Sequence, residues 1–115
     1  MDSDPFKQAS MQPRAAARKM IRGRARISIE EGPAIFGKLV DISQFGICIL
    51  FENIIASQKM CVIDAELMQG GKRITFTVHA ISIYSILVSD QGFRVGFNFG
   101  PLDSTTEKII HDLMT

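Results

Sequence analysis

Apolar and polar residues alternate in short segments that end at turn residues, and this pattern constrains the chain more than any other feature. From Ile21 to Glu30, apolar residues or glycine occupy every second position, and arginines occupy three of the positions between them. Arg73 to Ser85 alternates in the same way, directly after the glycine pair Gly70 and Gly71. A period of two predicts half-buried β-strands, and paired glycines between two such segments predict a tight hairpin. The chain is therefore predicted to be mainly β.

Six strands and one helix are predicted along the chain. The strands are expected at residues 21–30, 34–43, 45–51, 60–67, 73–85 and 93–99. Ser104 to Glu107 matches a capping box, and the apolar stripe that follows it predicts a short C-terminal helix. Short antiparallel strands at regular spacing favour a closed barrel, because closure removes exposed strand edges. We predict an all-β fold, a small six-stranded antiparallel β-barrel with a short C-terminal α-helix.

The N-terminal residues differ from the rest in composition. Residues 1–13 carry acidic residues, Gln, Ser and two prolines without any periodicity, which indicates a disordered tail. Arg14 to Arg18 could form a short helical turn after Pro13, because proline suits the first helical position and alanine has a high helix propensity. The expected organisation is a tail at 1–13 and one barrel domain at 14–115, whose first residues form a flexible arm.

Length and charge limit the function. A chain of 115 residues with 46% hydrophobic and 22% charged residues suits one ordinary globular domain. The net charge of +1 argues against a nucleic-acid polymer as partner, since such proteins usually carry a larger basic excess. Residues 1–26 nevertheless contain seven Lys or Arg against two Asp, and the remainder is net acidic. A small anionic partner is therefore expected to meet the N-terminal segment.

The sequence contains no recognisable enzyme or metal motif. Cys48 and Cys61 lie in apolar runs and are interpreted as buried reduced thiols. His79 and His111 are far apart in sequence and are interpreted as ordinary histidines. We expect no catalytic residue, no metal and no cofactor. No apolar run reaches transmembrane length and no secretory signal is recognisable, so we expect a cytoplasmic location without membrane insertion.

One turn concentrates polar chemistry between the second and third predicted strands. Asp41 offers a carboxylate, Ser43 a hydroxyl that donates and accepts, and Gly46 a backbone that can take a positive φ or approach a ligand closely. Asp41 and Ser43 alone could merely cap the turn through their own backbone. The arginines upstream of the turn favour a binding site instead.

Three elements taken together resemble the PilZ domain family. They are an Arg-x-x-x-Arg pair before the first strand, an Asp-x-Ser-x-x-Gly turn between the second and third strands, and a late strand with a central glycine at residues 94–99. The resemblance covers about residues 14–114 and implies a six-stranded barrel that binds the bacterial second messenger cyclic di-GMP. Carried over residue by residue, it implies that the ligand-binding residues are Arg14, Arg18, Asp41, Ser43 and Gly46.

The chemistry of these side chains suits such a ligand. A guanidinium matches the O6 and N7 acceptors of guanine or a phosphodiester, and a carboxylate matches the N1-H and N2-H donors. Arg14, Arg18, Arg22 and Arg26 recur every four residues, but only the first two precede the strand. Arg22 and Arg26 are interpreted as strand surface, although contact with the ligand stays open.

We therefore expect a cytoplasmic cyclic di-GMP receptor or adaptor. Ligand-induced ordering of its N-terminal arm would change the surface that it presents to a downstream protein partner. The alternative is a protein-interaction module of the same fold that assists pilus, flagellar or secretion machinery without nucleotide. A third hypothesis is a small RNA-binding barrel with a basic stripe at Arg22, Arg24 and Arg26.

Overall fold

The computed structural model describes residues 17–30 and 32–115. Its elements, in chain order, are β1 (Lys19–Met20), β2 (Gly23–Ser28), β3 (Ile35–Ile42), β4 (Gly46–Phe51), β5 (Met60–Gln69), β6 (Lys72–Leu87), β7 (Phe93–Phe99) and α1 (Ser104–Met114). A 3-10 turn at Ser89–Gln91 joins β6 to β7.

Six of these strands close into a barrel in the order β3-β2-β5-β6-β7-β4. All pairings are antiparallel, and β4 pairs back onto β3, so that β3 has a partner along both edges. The two-residue β1 pairs with β3 beyond the end of β2, where Met20 lies opposite Asp41. The predicted six-stranded barrel with a C-terminal helix is confirmed, with β1 as one additional strand.

The alternating pattern places one face of each strand in the barrel interior. Ala25 and Ile27 of β2 are buried, whereas Arg24 and Arg26 face solvent. Fully buried side chains fill the interior, and each stabilises the fold by about 1.5–3 kcal/mol relative to an exposed side chain. The largest of them are Phe51, Ile27, Ile42, Ile47, Ile49, Ile63, Leu67, Leu113 and Val95.

The C-terminal helix adds to this core. Ile110 and Leu113 of α1 belong to the same buried cluster as the barrel strands. The predicted capping box at Ser104 is wrong in its first residue, because the N-cap is Asp103. Asp103 has an extended backbone, and its Oδ1 accepts from the Thr106 amide at 2.7 Å. Ser104 is already inside the helix, where its hydroxyl cannot take this position.

The second half of β6 is stabilised by the hydroxyls of Ser82 and Ser85, and the latter donates to the Ile55 carbonyl at 2.7 Å. Beyond Ile81, which pairs with Met60, β6 has no further partner on β5. Ser82 is fully buried, and its Oγ donates to the Ala56 carbonyl at 2.6 Å and accepts from the Lys59 amide at 2.9 Å. The β4–β5 loop thus takes the place of a neighbouring strand, and β6 continues to Leu87, two residues beyond its predicted end.

The predicted glycine hairpin is present, and the predictions for the N-terminal segment fall mostly outside the described residues. Gly70 and Gly71 have φ values of 59° and 77°, as a two-residue hairpin with a primed turn requires, so this turn is confirmed. The predicted tail at 1–13 and most of the predicted helical turn at 14–18 lie outside the described residues. Ala17 and Arg18, at its end, belong to neither a helix nor a strand.

The helix cap gives a first prediction. Asp103→Ala should lower the Tm by roughly 5 °C, because the Thr106 amide loses its acceptor, whereas Ser104→Ala should leave the Tm nearly unchanged. Hydrogen bonds from Thr106 hold the pKa of the Asp103 carboxyl below its usual value. The charge therefore stabilises the fold fully above the unfolded-state pKa of about 3.9 and stops doing so as the pH falls through the lower folded-state pKa. Thermal unfolding followed by circular dichroism measures both variants, and equal losses in the two would contradict the assignment.

Candidate ligand-binding site

The structure brings one residue of the arginine pair directly to the polar turn. Arg18 Nη1 lies 2.9 Å from Asp41 Oδ1, and the pairing of β1 with the end of β3 holds the two side chains together. Their side chains are 37% and 20% exposed, respectively, so the pair is only partly shielded from water. Such pairs usually stabilise a protein by less than about 1 kcal/mol, but both groups remain within reach of a ligand. Arg14 lies outside the described residues.

Ser43 shapes the turn from inside. Its side chain is 2% exposed, and its Oγ accepts from the Phe45 amide at 3.1 Å and the Gly46 amide at 3.2 Å. Its own amide donates to the Gly46 carbonyl at 2.9 Å. The hydroxyl therefore fixes the turn through the backbone and leaves Asp41 as the side chain that faces outward.

Gly46 is required by packing and not by its own torsion angles. It does not adopt a positive φ. A Cβ atom at this position would overlap the carbonyl oxygen of Phe97, because Gly46 lies opposite Asn98 where β4 and β7 run close together. The glycine thus allows close approach of backbone to backbone, where the sequence suggested either a positive φ or close approach of a ligand.

Two β-bulges determine which residues face outward. Between Leu39 and Asp41 the pairing of β3 with β4 shifts by one residue, so that Asp41 lies opposite Cys48. Strict alternation would have put Asp41 on the same face as the buried Leu39. A second shift, between Ser82 and Tyr84 of β6, turns Tyr84 outward opposite Gly96.

The bulges create a row of outward positions across four strands. Asp41 lies opposite Cys48, Cys48 opposite Gly96, and Gly96 opposite Tyr84. We call this row, together with Arg18, the site row. The Tyr84 ring lies against Gly96, where an added Cβ would overlap its atoms. Cys48 is only 2% exposed although it does not belong to the barrel core cluster, because neighbours in this row cover it.

The groups of the site row influence one another electrostatically. Burial, and then the Asp41 carboxylate, raises the pKa of the Cys48 thiol to about 11, while Arg94 and Arg18 oppose the rise. Burial is also the main cause that raises the pKa of Tyr84. Both groups are therefore protonated and uncharged at neutral pH. A charged ligand would interact instead with the side chains of Arg18 and Asp41.

The concavity beside the site row is small. Arg18, Tyr84, Gly96 and Asn98 are among the residues that line a depression of about 100 Å³. Small-molecule sites usually enclose about 300–1,000 Å³. A ligand of nucleotide size would therefore lie on an open face of the barrel, and further residues would have to close over it.

Three arginines on β2 and β6 are already paired with acidic side chains. On the opposite side of the barrel, Arg24 and Arg73 both contact Glu66, and Arg26 lies 3.9 Å from Asp64. This pairing weakens the hypothesis of an RNA-binding stripe, because most of its cations have internal partners.

The remaining candidates for chemistry stay dispersed. Cys48 and Cys61 are free and buried, as the sequence predicts. His79 and His111 are exposed and lie on β6 and α1. Within residues 17–30 and 32–115, no three His, Cys, Asp or Glu side chains come together as a metal site would require. In that same part of the chain, no helix has the length and apolarity needed to cross a membrane.

Sequence reasoning missed Tyr84 and Arg94 as neighbours of the site. Arg94 stands two residues before Gly96 in the late strand, and this spacing was the available signal. Tyr84 gave no such signal, because the bulge that exposes it cannot be read from alternation.

Comparison with solved structures identifies the fold. The inhibitor of motility MotI/DgrA from Bacillus subtilis superposes with a TM-score of 0.74 at 13% identity, over 90% of this chain and 50% of that chain. The PilZ domain of YcgR from Escherichia coli, solved with c-di-GMP, gives a TM-score of 0.65 at 16% identity, over 90% of this chain and 89% of that domain. MrkH from K. pneumoniae, solved as a c-di-GMP complex, gives 0.65 at 13% identity, over 89% of this chain and 51% of that chain.

The chain therefore has the fold of a PilZ domain. It spans about half the length of MotI/DgrA and MrkH, and nearly the whole of the isolated YcgR domain. No protein-family model matches the sequence, and no curated protein matches it.

The packing of Gly46 gives a second prediction. Gly46→Ala should lower the free energy of unfolding by about 1–3 kcal/mol, because the new Cβ must push β4 away from β7. Gly32→Ala is the matched control, since a Cβ there would only meet the Ile29 carbonyl oxygen at 3.4 Å. Urea unfolding measures both variants, and equal stability of the two would show that Gly46 is not needed for packing.

Proposed function

We propose that this domain is a receptor for cyclic di-GMP and acts as an adaptor in the bacterial cytoplasm. The observation that carries the proposal is the contact between Arg18 and Asp41, which joins one residue of the arginine pair to the polar turn on one face of a PilZ fold. The solved PilZ domain of YcgR and the structure of MrkH support it, because both contain c-di-GMP.

Each proposed binding residue has a definite part. Asp41 accepts from the N1-H and N2-H of one guanine, and Arg18 and Arg14 bind phosphodiester oxygens or the O6 and N7 edge. Arg18 contacts Oδ1 of Asp41, and in the proposed complex Oδ2 accepts from the base. Ser43 and Gly46 contribute by holding the turn that presents Asp41.

The proposed switch concerns the chain before Ala17. Arg18 is ion-paired with Asp41 and Lys19 pairs with β3, so we assign the proposed ligand-induced ordering to the residues upstream of them. Several charge-assisted hydrogen bonds, each contributing about 1.5–3 kcal/mol, can offset the entropy lost by that segment. A downstream protein partner would then recognise the changed surface. We infer receptor activity and no catalysis.

The test is calorimetric titration of the full chain with cyclic di-GMP. Asp41→Asn and Arg14→Ala should each weaken binding by about tenfold or more, because each removes a charge-assisted hydrogen bond. Asp64→Asn is the matched control, since Asp64 lies on the opposite side of the barrel beside Arg26 and Thr77. It should bind like the wild type.

Amide chemical shifts from isotope-labelled protein locate the binding surface in the same titration. Shifts that include the arm and residues 41–46 support the proposal. A wild type that does not bind cyclic di-GMP overturns it and leaves the interaction module as the better hypothesis.

A further inference from the structure

Arg94 lies on the same face of the barrel as the site row. It is the outward-facing residue of β7 that precedes Gly96 by two positions. Phe93, Val95, Phe97 and Phe99 face the core, so Arg94 points outward like Gly96. Register places Arg94 between Leu50 of β4 and Ile86 of β6. We call Leu50, Arg94 and Ile86 the second row.

The second row contains a cation that has no acidic partner among residues 17–30 and 32–115. Arg24, Arg26 and Arg73 are all paired with Asp64 or Glu66. Arg94 is exposed, and none of the ion pairs among the described residues includes it. Lys38, opposite Leu50 on β3, is also exposed and adds positive charge to the same surface.

Apolar side chains flank this cation on both sides. Ile86 is 56% exposed and Leu50 is half-buried. An exposed isoleucine beside an exposed arginine, on the face that carries Asp41, indicates a binding surface more strongly than an isolated exposed residue does. Aliphatic contact suits a sugar ring, and a guanidinium suits the phosphate attached to it.

Strand geometry brings Arg94 within reach of a ligand held by Arg18 and Asp41. Arg94 is two strands away from Asp41 and one outward position along, so their Cα atoms are about 12 Å apart. The charges of Arg94 and Arg18 both act on Cys48 between them, where each lowers the pKa of the thiol. A cyclic dinucleotide carries two phosphodiesters, whereas the site row holds cations only at the Arg18 end.

The geometry points to Arg94 as a second anion-binding residue, which binds the phosphodiester farther from Arg18 while Leu50 and Ile86 contact the adjoining sugar. This inference rests on the proposed function and adds a second row to its binding surface. It predicts that the nucleotide lies across β4, β7 and β6, with its plane along the barrel surface.

The test compares Arg94→Gln, Arg94→Lys and Arg73→Gln in calorimetric titrations with cyclic di-GMP. Arg94→Gln should weaken binding about tenfold or more at low ionic strength, and this loss should shrink as salt screens the interaction. Arg94→Lys should recover part of the affinity, since it keeps the charge. Arg73→Gln removes the same charge on the far side of the barrel and should bind within about twofold of the wild type. Amide spectra check that every variant stays folded.

The outcomes separate this inference from the function on which it rests. Wild-type binding with equal affinities for Arg94→Gln and Arg73→Gln overturns the second row and leaves the receptor intact. A loss in Arg94→Gln that does not depend on salt overturns the phosphate contact, because a charge interaction must be screened. Absence of binding in the wild type overturns both proposals.

Discussion

The pairing of β3 along both of its edges is the constraint on which the rest of this structure depends. β3 joins β2 on one edge and β4 on the other, which closes the sheet and removes its open edges. Bulges are common at the rims of barrels, and the one between Leu39 and Asp41 reverses the alternation at the end of β3. Ile42 thereby returns to the core while Asp41 faces outward beside Arg18. The same local irregularity thus completes the core and creates the polar site.

The two sides of the barrel differ in whether their arginines form ion pairs with acidic side chains. On β2, β5 and the first half of β6, arginines and acidic residues neutralise one another across strands. On β4, β7 and the second half of β6, Arg94 faces solvent and Tyr84 covers Cys48 through the gap left by Gly96. An internally paired surface gains little from an anion, because binding would have to disrupt existing contacts. The face with Arg94 differs, because no ion pair among the described residues would have to break before Arg94 could contact an anion.

Alternation and turn chemistry predict most of the strands, because each strand buries one face and each tight turn needs a particular residue. Gly70 and Gly71 could be recognised in this way. The pattern did not reveal β1, since two residues show no period, nor the extent of β6, which depends on Ser82 and the β4–β5 loop. It also favoured Ser104 over Asp103 as the helix cap. Both residue types suit that position, and only the extended backbone of Asp103 decides between them.

By itself, the sequence determined the all-β class, the position of the polar turn and the chemical types of Asp41, Ser43 and the upstream arginines. The tertiary structure decided which of these side chains meet and what each one does. Asp41 faces outward because of a bulge, Ser43 is buried within the turn, and Gly46 is needed by the Phe97 carbonyl. The reason is that alternation is a local property, whereas bulges, strand register and close approach of two backbones depend on residues far apart in the chain. Contacts of that kind form only when the barrel closes.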